Sequence, residues 1–133
     1  MTATVMDGEA LAATIKDDLA ARVAALVDKG VTPGLGTVLV GDDGPSQKYV
    51  SMKHDDCAAL GIASTDVRLG ANATQAEVRE TVFELNSDTS VDSFLVQYPF
   101  PKGSSSGPLD YDAALLAVDP AKDADGLHPV NLG

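Results

Sequence analysis

A lysine stands among apolar residues on one predicted helix, and this placement could give it a chemical role. Helical spacing puts Lys53 on the same stripe as Val50, Cys57 and Leu60, one turn after Tyr49. Desolvation near the core favours the neutral amine, which can accept a proton as a general base. The alternative is a lysine that lies along apolar surface and extends its ammonium to water, as lysines commonly do. Taken alone, the helix favours this second interpretation.

Two more polar positions follow apolar or turn-forming stretches. Gln97 ends an apolar strand before Pro99 and Pro101, so its amide projects at the carboxyl edge of the strand. It could orient Lys53 or a ligand, or it could satisfy loop backbone groups. Asp125 stands among turn formers, where it could accept hydrogen bonds from the N–H groups of a heterocycle or close an Asx-turn.

Metal and dinucleotide chemistry find no support in the motifs. The run from Asp123 to Gly126 lacks the rest of a calcium loop, and the histidines, His54 and His128, form no zinc spacing. The glycines of Gly34–Gly36 precede a predicted strand instead of following one, and the third glycine of a dinucleotide fingerprint is missing. We therefore expect neither a metal ligand nor a cofactor-binding residue in this chain.

Alternating helices and strands must position these side chains. Apolar periodicity, turn residues and caps predict helices over 8–29, 46–60, 74–85 and 111–118 and strands over 35–40, 62–69 and 93–97. Ser46 is the predicted cap of the second helix, Gly61 its end, and Thr74 with Glu77 a capping box. This order predicts an α/β fold, a three-layer αβα domain with a mainly parallel sheet, spanning 1–133.

Ligands of such sheets bind beyond the carboxyl ends of the strands. That rule selects the loop after Val40, the loop after Gln97 and the tail that contains Asp123 and Asp125. We expect these three segments to converge on one cleft.

Composition limits the partners and the compartment. The 133 residues, 44% of them hydrophobic, suit one domain with one core, and the net charge of -11 repels nucleic acid and anionic membranes. No stretch approaches the roughly 20 apolar residues that span a bilayer. The single cysteine, Cys57, excludes an intramolecular disulfide and is expected in the core, and the N-terminus shows no secretion signal. These features favour the cytoplasm.

Three ordered motifs together resemble one family. The motifs are S-x-x-Y-V-x-x-K at 46–53, V-Q-x-P-x-P at 96–101 and P-x-K-D-x-D-G-x-H-P-x-N-x-G at 120–133. In order and spacing they are similar to the N-terminal catalytic domain of the bifunctional methylenetetrahydrofolate dehydrogenase/methenyltetrahydrofolate cyclohydrolase family. The similarity extends over the whole chain from Gly8 onward. It outweighs the interpretations given above in which the single residues have no functional role.

The resemblance implies a role for each matching residue. Lys53 matches the catalytic lysine that assists proton transfer, and Tyr49 matches the tyrosine that positions the folate. Gln97 matches the glutamine that hydrogen-bonds the lysine, and Asp125 matches the acid that grips the pterin ring. Ser46 matches a serine near the cleft. Catalysis is thus assigned to Lys53, Gln97 and Tyr49.

The same resemblance places Tyr98 and Pro99 in the substrate site, and here the chain departs from the family. Tyr98 and Phe100 replace leucines, which adds bulk and a hydroxyl beside the folate. The segment 102–112 is longer than usual, and its serine-rich composition is typical of disorder.

The resemblance implies an enzyme that interconverts 5,10-methylene-, 5,10-methenyl- and 10-formyl-tetrahydrofolate. NADP is the expected cofactor of the full-length enzyme, bound by a second domain that family members carry beyond the position of Gly133. The full-length protein is expected to be a homodimer, and the isolated chain to lack dehydrogenase activity. The alternative is a non-catalytic folate-binding or assembly module.

Overall fold

Helices and strands alternate along the chain in the predicted order. The structure is a computed structural model that describes residues 3–102 and 105–133. Its elements are α1 (Gly8–Val27), β1 (Gly34–Val40), α2 (Gly44–Leu60), β2 (Ala63–Leu69), α3 (Gln75–Ser87), β3 (Ser93–Val96), α4 (Tyr111–Ala117), a 3-10 turn (Pro120–Lys122) and α5 (Pro129–Leu132). Residues 103 and 104, part of the segment with a composition typical of disorder, lie outside the described residues.

The sheet is parallel, with β1 between β2 and β3. The central strand is buried along almost its whole length because α2 covers one face and α3 the other. Helix α1 packs on α2, and α4 packs on α3, so helices lie on both sides of the sheet. The predicted three-layer α/β domain is confirmed.

The start of α2 differs from the prediction. The helix begins at Gly44, and its N-cap is Asp43, whose carboxylate accepts hydrogen bonds from the Ser46 N–H at 3.0 Å and the Ser46 hydroxyl at 2.6 Å. The prediction that Ser46 caps this helix is therefore wrong. Pro45 explains the earlier start, because its ring fits the first turn of a helix, where no N–H is needed.

Other local signals are confirmed. Gly61 ends α2 in the left-handed conformation, with φ at 78°, and Thr74 and Glu77 form the predicted capping box. Among the described residues, no helix is long and apolar enough to cross a membrane.

The predicted amphipathic helix α1 is present, but most of its apolar stripe remains accessible. Val23 is buried, whereas Leu11 is 61% exposed and Ile15 is 49% exposed. The stripe borders a groove between α1 and α2, and that groove contains a predicted site residue.

Candidate functional site

The loops that follow β1 and β3 meet at the carboxyl edge of the sheet. Gly41 has a φ of +89°, and a Cβ added to it would lie 2.5 Å from Cγ of Pro101. The tail joins them along the outer side of β3, where the N–H of Ala124 donates to the carbonyl of Phe94 at 3.1 Å. The three segments selected from the sequence thus surround one edge of the sheet.

Lys53 lies half-buried on the α1 side of α2. It lines a groove of about 340 Å³ whose other members are Ala12, Ile15, Lys16, Leu19, Leu35, Asp56, Cys57 and Leu60. Apart from Lys53, the charged residues of this apolar groove are Lys16 and Asp56. These two form an ion pair, with Nζ of Lys16 at 2.5 Å from the Asp56 carboxylate. In the described part of the chain no carboxylate forms an ion pair with Lys53.

Cys57 is buried in the wall of the same groove, as predicted. Burial, and to a smaller extent the charge of Asp56, raises the pKa of the Cys57 thiol. A thiol held in its protonated form is a poor nucleophile. Cys57 is therefore not a candidate nucleophile, and Lys53 stays the predicted site residue of this groove.

The other two candidates on α2 differ in exposure. Tyr49 lies one turn before Lys53 and is 59% exposed, so its ring is available to a ligand on the outer surface of the helix. Ser46 is only 3% exposed, and its hydroxyl is taken up by Asp43. Of the pair, Tyr49 has the accessible side chain.

The candidates after β3 lie at the carboxyl edge. Gln97 is half-buried, and its side-chain N–H donates to the carbonyl of Tyr98 at 2.9 Å. Among the described residues, no hydrogen bond joins Gln97 to Lys53. The Tyr98–Pro99 peptide bond is cis, and the Tyr98 side chain is 64% exposed.

The two carboxylates of the tail have different surroundings. The Oδ2 atom of Asp123 accepts from the His128 N–H at 2.8 Å and from the Asn131 amide at 2.9 Å. Burial acts to raise the pKa of Asp123, but these hydrogen bonds outweigh it and the pKa is lowered. Asp125 is exposed, and no hydrogen bond between described residues engages its carboxylate. Asp123 thus orders the tail, while Asp125 is available to a ligand.

Sequence reasoning missed Tyr111, the first residue of α4. Its hydroxyl donates to the carbonyl of Val96 at 3.1 Å, and its ring contacts Tyr98 and Phe100 edge to face at centroid distances of 5.2 and 5.3 Å. Burial raises the pKa of Tyr111, and the nearby charge of Asp125 raises it further. The available signal was an aromatic residue following a proline-rich loop that itself carries two unusual aromatic residues.

A buried polar contact beneath α2 was also missed. Thr37 is fully buried in β1, and its hydroxyl lies 2.8 Å from Nε2 of His54 and 3.4 Å from Oδ1 of Asp66. His54 follows Lys53 directly and faces the sheet instead of the groove. The contact ties the middle of α2 to the central strand.

The described residues offer no cluster of three or more histidine, cysteine or acidic side chains that could hold a metal ion. The two glycines near the start of β1 do not form a dinucleotide-binding turn. Gly34 and Gly36 lie inside β1, where an added Cβ would meet Ser90 or Phe94 within 3 Å. These glycines allow close packing of the strand and do not form a phosphate-binding loop.

Comparison with known proteins matches this architecture. A family model described as tetrahydrofolate dehydrogenase/cyclohydrolase, catalytic domain, matches residues 6–125. The bifunctional protein FolD of Syntrophotalea carbinolica is 49% identical over 133 residues, which is all of this chain and 44% of that protein. The chain therefore spans less than half the length of this relative.

Solved structures agree. The Trypanosoma brucei methylenetetrahydrofolate dehydrogenase-cyclohydrolase, complexed with NADP and an inhibitor, superposes with a TM-score of 0.91 at 40% identity, covering 100% of this chain and 44% of that one. The bifunctional enzyme of Campylobacter jejuni gives 0.90 at 39% identity, covering 98% of this chain and 44% of its own.

Proposed function

Since the chain belongs to the tetrahydrofolate dehydrogenase/cyclohydrolase catalytic-domain family, we propose that it forms the folate-binding part of an enzyme that interconverts methylene-, methenyl- and formyl-tetrahydrofolate. The 133 residues act as its N-terminal catalytic domain. The observation that supports this most directly is the position of Lys53 on an apolar groove, one turn from the exposed ring of Tyr49.

The cyclohydrolase step suits these groups. The methenyl carbon is an electrophilic iminium, so water adds to it and must lose a proton. The Lys53 amine accepts that proton, and the hydroxyl proton of the adduct passes to N5 as the bond from carbon to N5 breaks. The pairing of Asp56 with Lys16 supports this role, because it leaves Lys53 without an ion-pair partner among the described residues.

The remaining candidates bind and orient the substrate. Tyr49 lies against the folate ring system, and Asp125 accepts hydrogen bonds from the N–H groups of the pterin. The side-chain oxygen of Gln97 is left for Lys53 or the ligand, since its nitrogen donates to Tyr98. Pro99 and Tyr98 line the site, and Ser46 acts indirectly by holding the loop before α2 through Asp43.

Hydride transfer lies outside what these residues support. NADP is bound by the Trypanosoma brucei relative, and we assign its site to a part of the protein other than the described residues. The cytoplasmic location and the homodimer of the full-length protein stay predictions from sequence.

The test follows hydrolysis of methenyltetrahydrofolate by its absorbance, with the chain itself, Lys53→Met and the control Lys29→Met, which removes an exposed lysine after α1. Loss of a general base lowers the rate by about 100-fold or more. We expect this loss in Lys53→Met and a rate within about twofold of the parent in the control. Folate binding without turnover in the parent chain supports the non-catalytic module instead, and absence of both overturns the proposal.

A further inference from the structure

Three aromatic rings form a cluster at the carboxyl end of β3. Phe100 is 8% exposed and anchors the cluster in the core, Tyr111 lies next to it, and Tyr98 is the outermost ring at 64% exposure. Both ring pairs meet at 79°, the edge-to-face geometry that aromatic pairs prefer. The hydroxyl of Tyr111 is bonded to the Val96 carbonyl, so the middle ring is fixed at both ends.

Next to the outer two rings lies an open hollow of about 550 Å³, within the size range of small-molecule sites. Its lining residues are Tyr98, Pro108, Leu109, Asp110, Tyr111 and Asp112. A large aromatic ring that stays mostly exposed although a neighbour holds it in place offers a prepared stacking surface.

We propose that Tyr98 is a stacking surface for a flat heteroaromatic ring that carries N–H donors, and that Tyr111 is the positioning residue that holds Tyr98 in place. This inference rests on the proposed function, and it assigns the pterin end of the folate to this hollow. Tyr98 and Phe100, which stand where family members have leucine, then act together with Tyr111 to set ligand specificity.

Charge decides which end of the folate is accepted. Asp112 belongs to the hollow, and Asp125 is close enough to raise the pKa of Tyr111. Carboxylates repel the glutamate end of a folate and accept hydrogen bonds from the amino and ring N–H groups of a pterin. Asp110 contributes less to recognition, because its Oδ1 atom already caps α4 through the Ala113 N–H at 2.9 Å.

Two probes separate the ligand ends. 6-Methylpterin contains only the flat heterocycle, and p-aminobenzoylglutamate contains only the other end of the folate. Binding of each to the parent chain is measured by calorimetry, alongside the kinetic constants for methenyltetrahydrofolate. The variants are Tyr98→Leu, Tyr111→Leu, Tyr111→Phe and the double Leu variant, and the control is Phe83→Leu, which removes an aromatic ring that is 58% exposed on α3.

Stacking on an aromatic side chain contributes enough that its loss weakens binding by about tenfold. Tyr98→Leu therefore weakens 6-methylpterin binding and raises KM by about tenfold with kcat within about twofold. Tyr111→Leu has a similar but smaller effect, and the double variant is no weaker than Tyr98→Leu alone, because Tyr111 acts through Tyr98. Tyr111→Phe keeps the ring contacts but loses the hydrogen bond to Val96, so its affinity lies between those of the parent and Tyr111→Leu. The control Phe83→Leu retains parent affinity.

The other outcomes separate the inference from the proposed function. Additive losses in the double variant refute the positioning role of Tyr111, and preferential binding of p-aminobenzoylglutamate refutes the assignment of the pterin end. Turnover in the parent with unchanged constants in Tyr98→Leu removes this inference and leaves the proposed function standing. Tyr98-dependent binding of 6-methylpterin without turnover refutes the proposed function and leaves the stacking site standing. A parent chain that binds neither probe refutes the stacking site itself.

Discussion

The contact between Gly41 and Pro101 holds together the two loops at the carboxyl edge of the sheet, and it can be tested by adding one methyl group. In Gly41→Ala the new Cβ faces a backbone φ of +89° and a ring carbon of Pro101 at 2.5 Å. Gly30→Ala is the matched control, because Gly30 has a φ of +79° but nothing within 4 Å of an added Cβ.

The two costs can be separated. A left-handed conformation costs a residue other than glycine roughly 1–2 kcal/mol, and this is the whole expected loss of unfolding free energy in Gly30→Ala. Gly41→Ala adds an overpacking cost of about 1–3 kcal/mol, for a total of about 2–5 kcal/mol. At about 4 °C per kcal/mol for a domain of this size, the melting temperature falls by about 4–8 °C in the control and about 8–20 °C in Gly41→Ala.

Urea unfolding, monitored by circular dichroism, gives the unfolding free energy of both variants, of Pro101→Ala and of the double variant Gly41→Ala/Pro101→Ala. Removal of the proline ring relieves the clash, so the double variant is more stable than the sum of the two single losses predicts, by about 1–3 kcal/mol. If Gly41→Ala costs no more than Gly30→Ala, or if the single losses add, the two loops are not held by this contact and the reasoning fails.

Two further predictions concern buried and hydrogen-bonded polar groups. Thr37→Val removes the hydroxyl that bonds Nε2 of His54 at 2.8 Å and leaves this nitrogen only the longer contact of 3.8 Å with Asp66, so the unfolding free energy falls by about 1–2 kcal/mol. Adding His54→Leu recovers most of this loss, and an additive double loss in urea unfolding would contradict the prediction. Asp123 has a lowered pKa in the folded chain, so its ionised form adds stability that is present above the unfolded value and lost as pH falls through the folded one. Asp123→Asn therefore flattens the fall in stability between about pH 5 and pH 2. Thermal melts of the parent and the variant across that range measure the effect, and an equally steep fall in the variant would contradict it.

Local signals in the sequence determined the elements and their order. The capping box at Thr74 needs only residues three apart, and the left-handed stop at Gly61 needs only a glycine, so neighbouring positions contain the information. Apolar runs separated by helices then require a parallel sheet, which puts the loops after β1 and β3 at one edge. The family motifs are local in the same way, so residue order and spacing alone matched them to Lys53, Gln97 and Asp125.

Only the tertiary structure decided how side chains of similar type divide their roles. Asp43 and not Ser46 caps α2, because the backbone turns into the helix before Pro45, and Asp123 and not Asp125 holds the tail. Tyr111 reaches Tyr98 from a different element, 13 positions further along the chain, a contact that no local periodicity encodes. Apolar spacing shows which face of an element is buried, but the partner of each polar side chain depends on where the fold brings distant residues together.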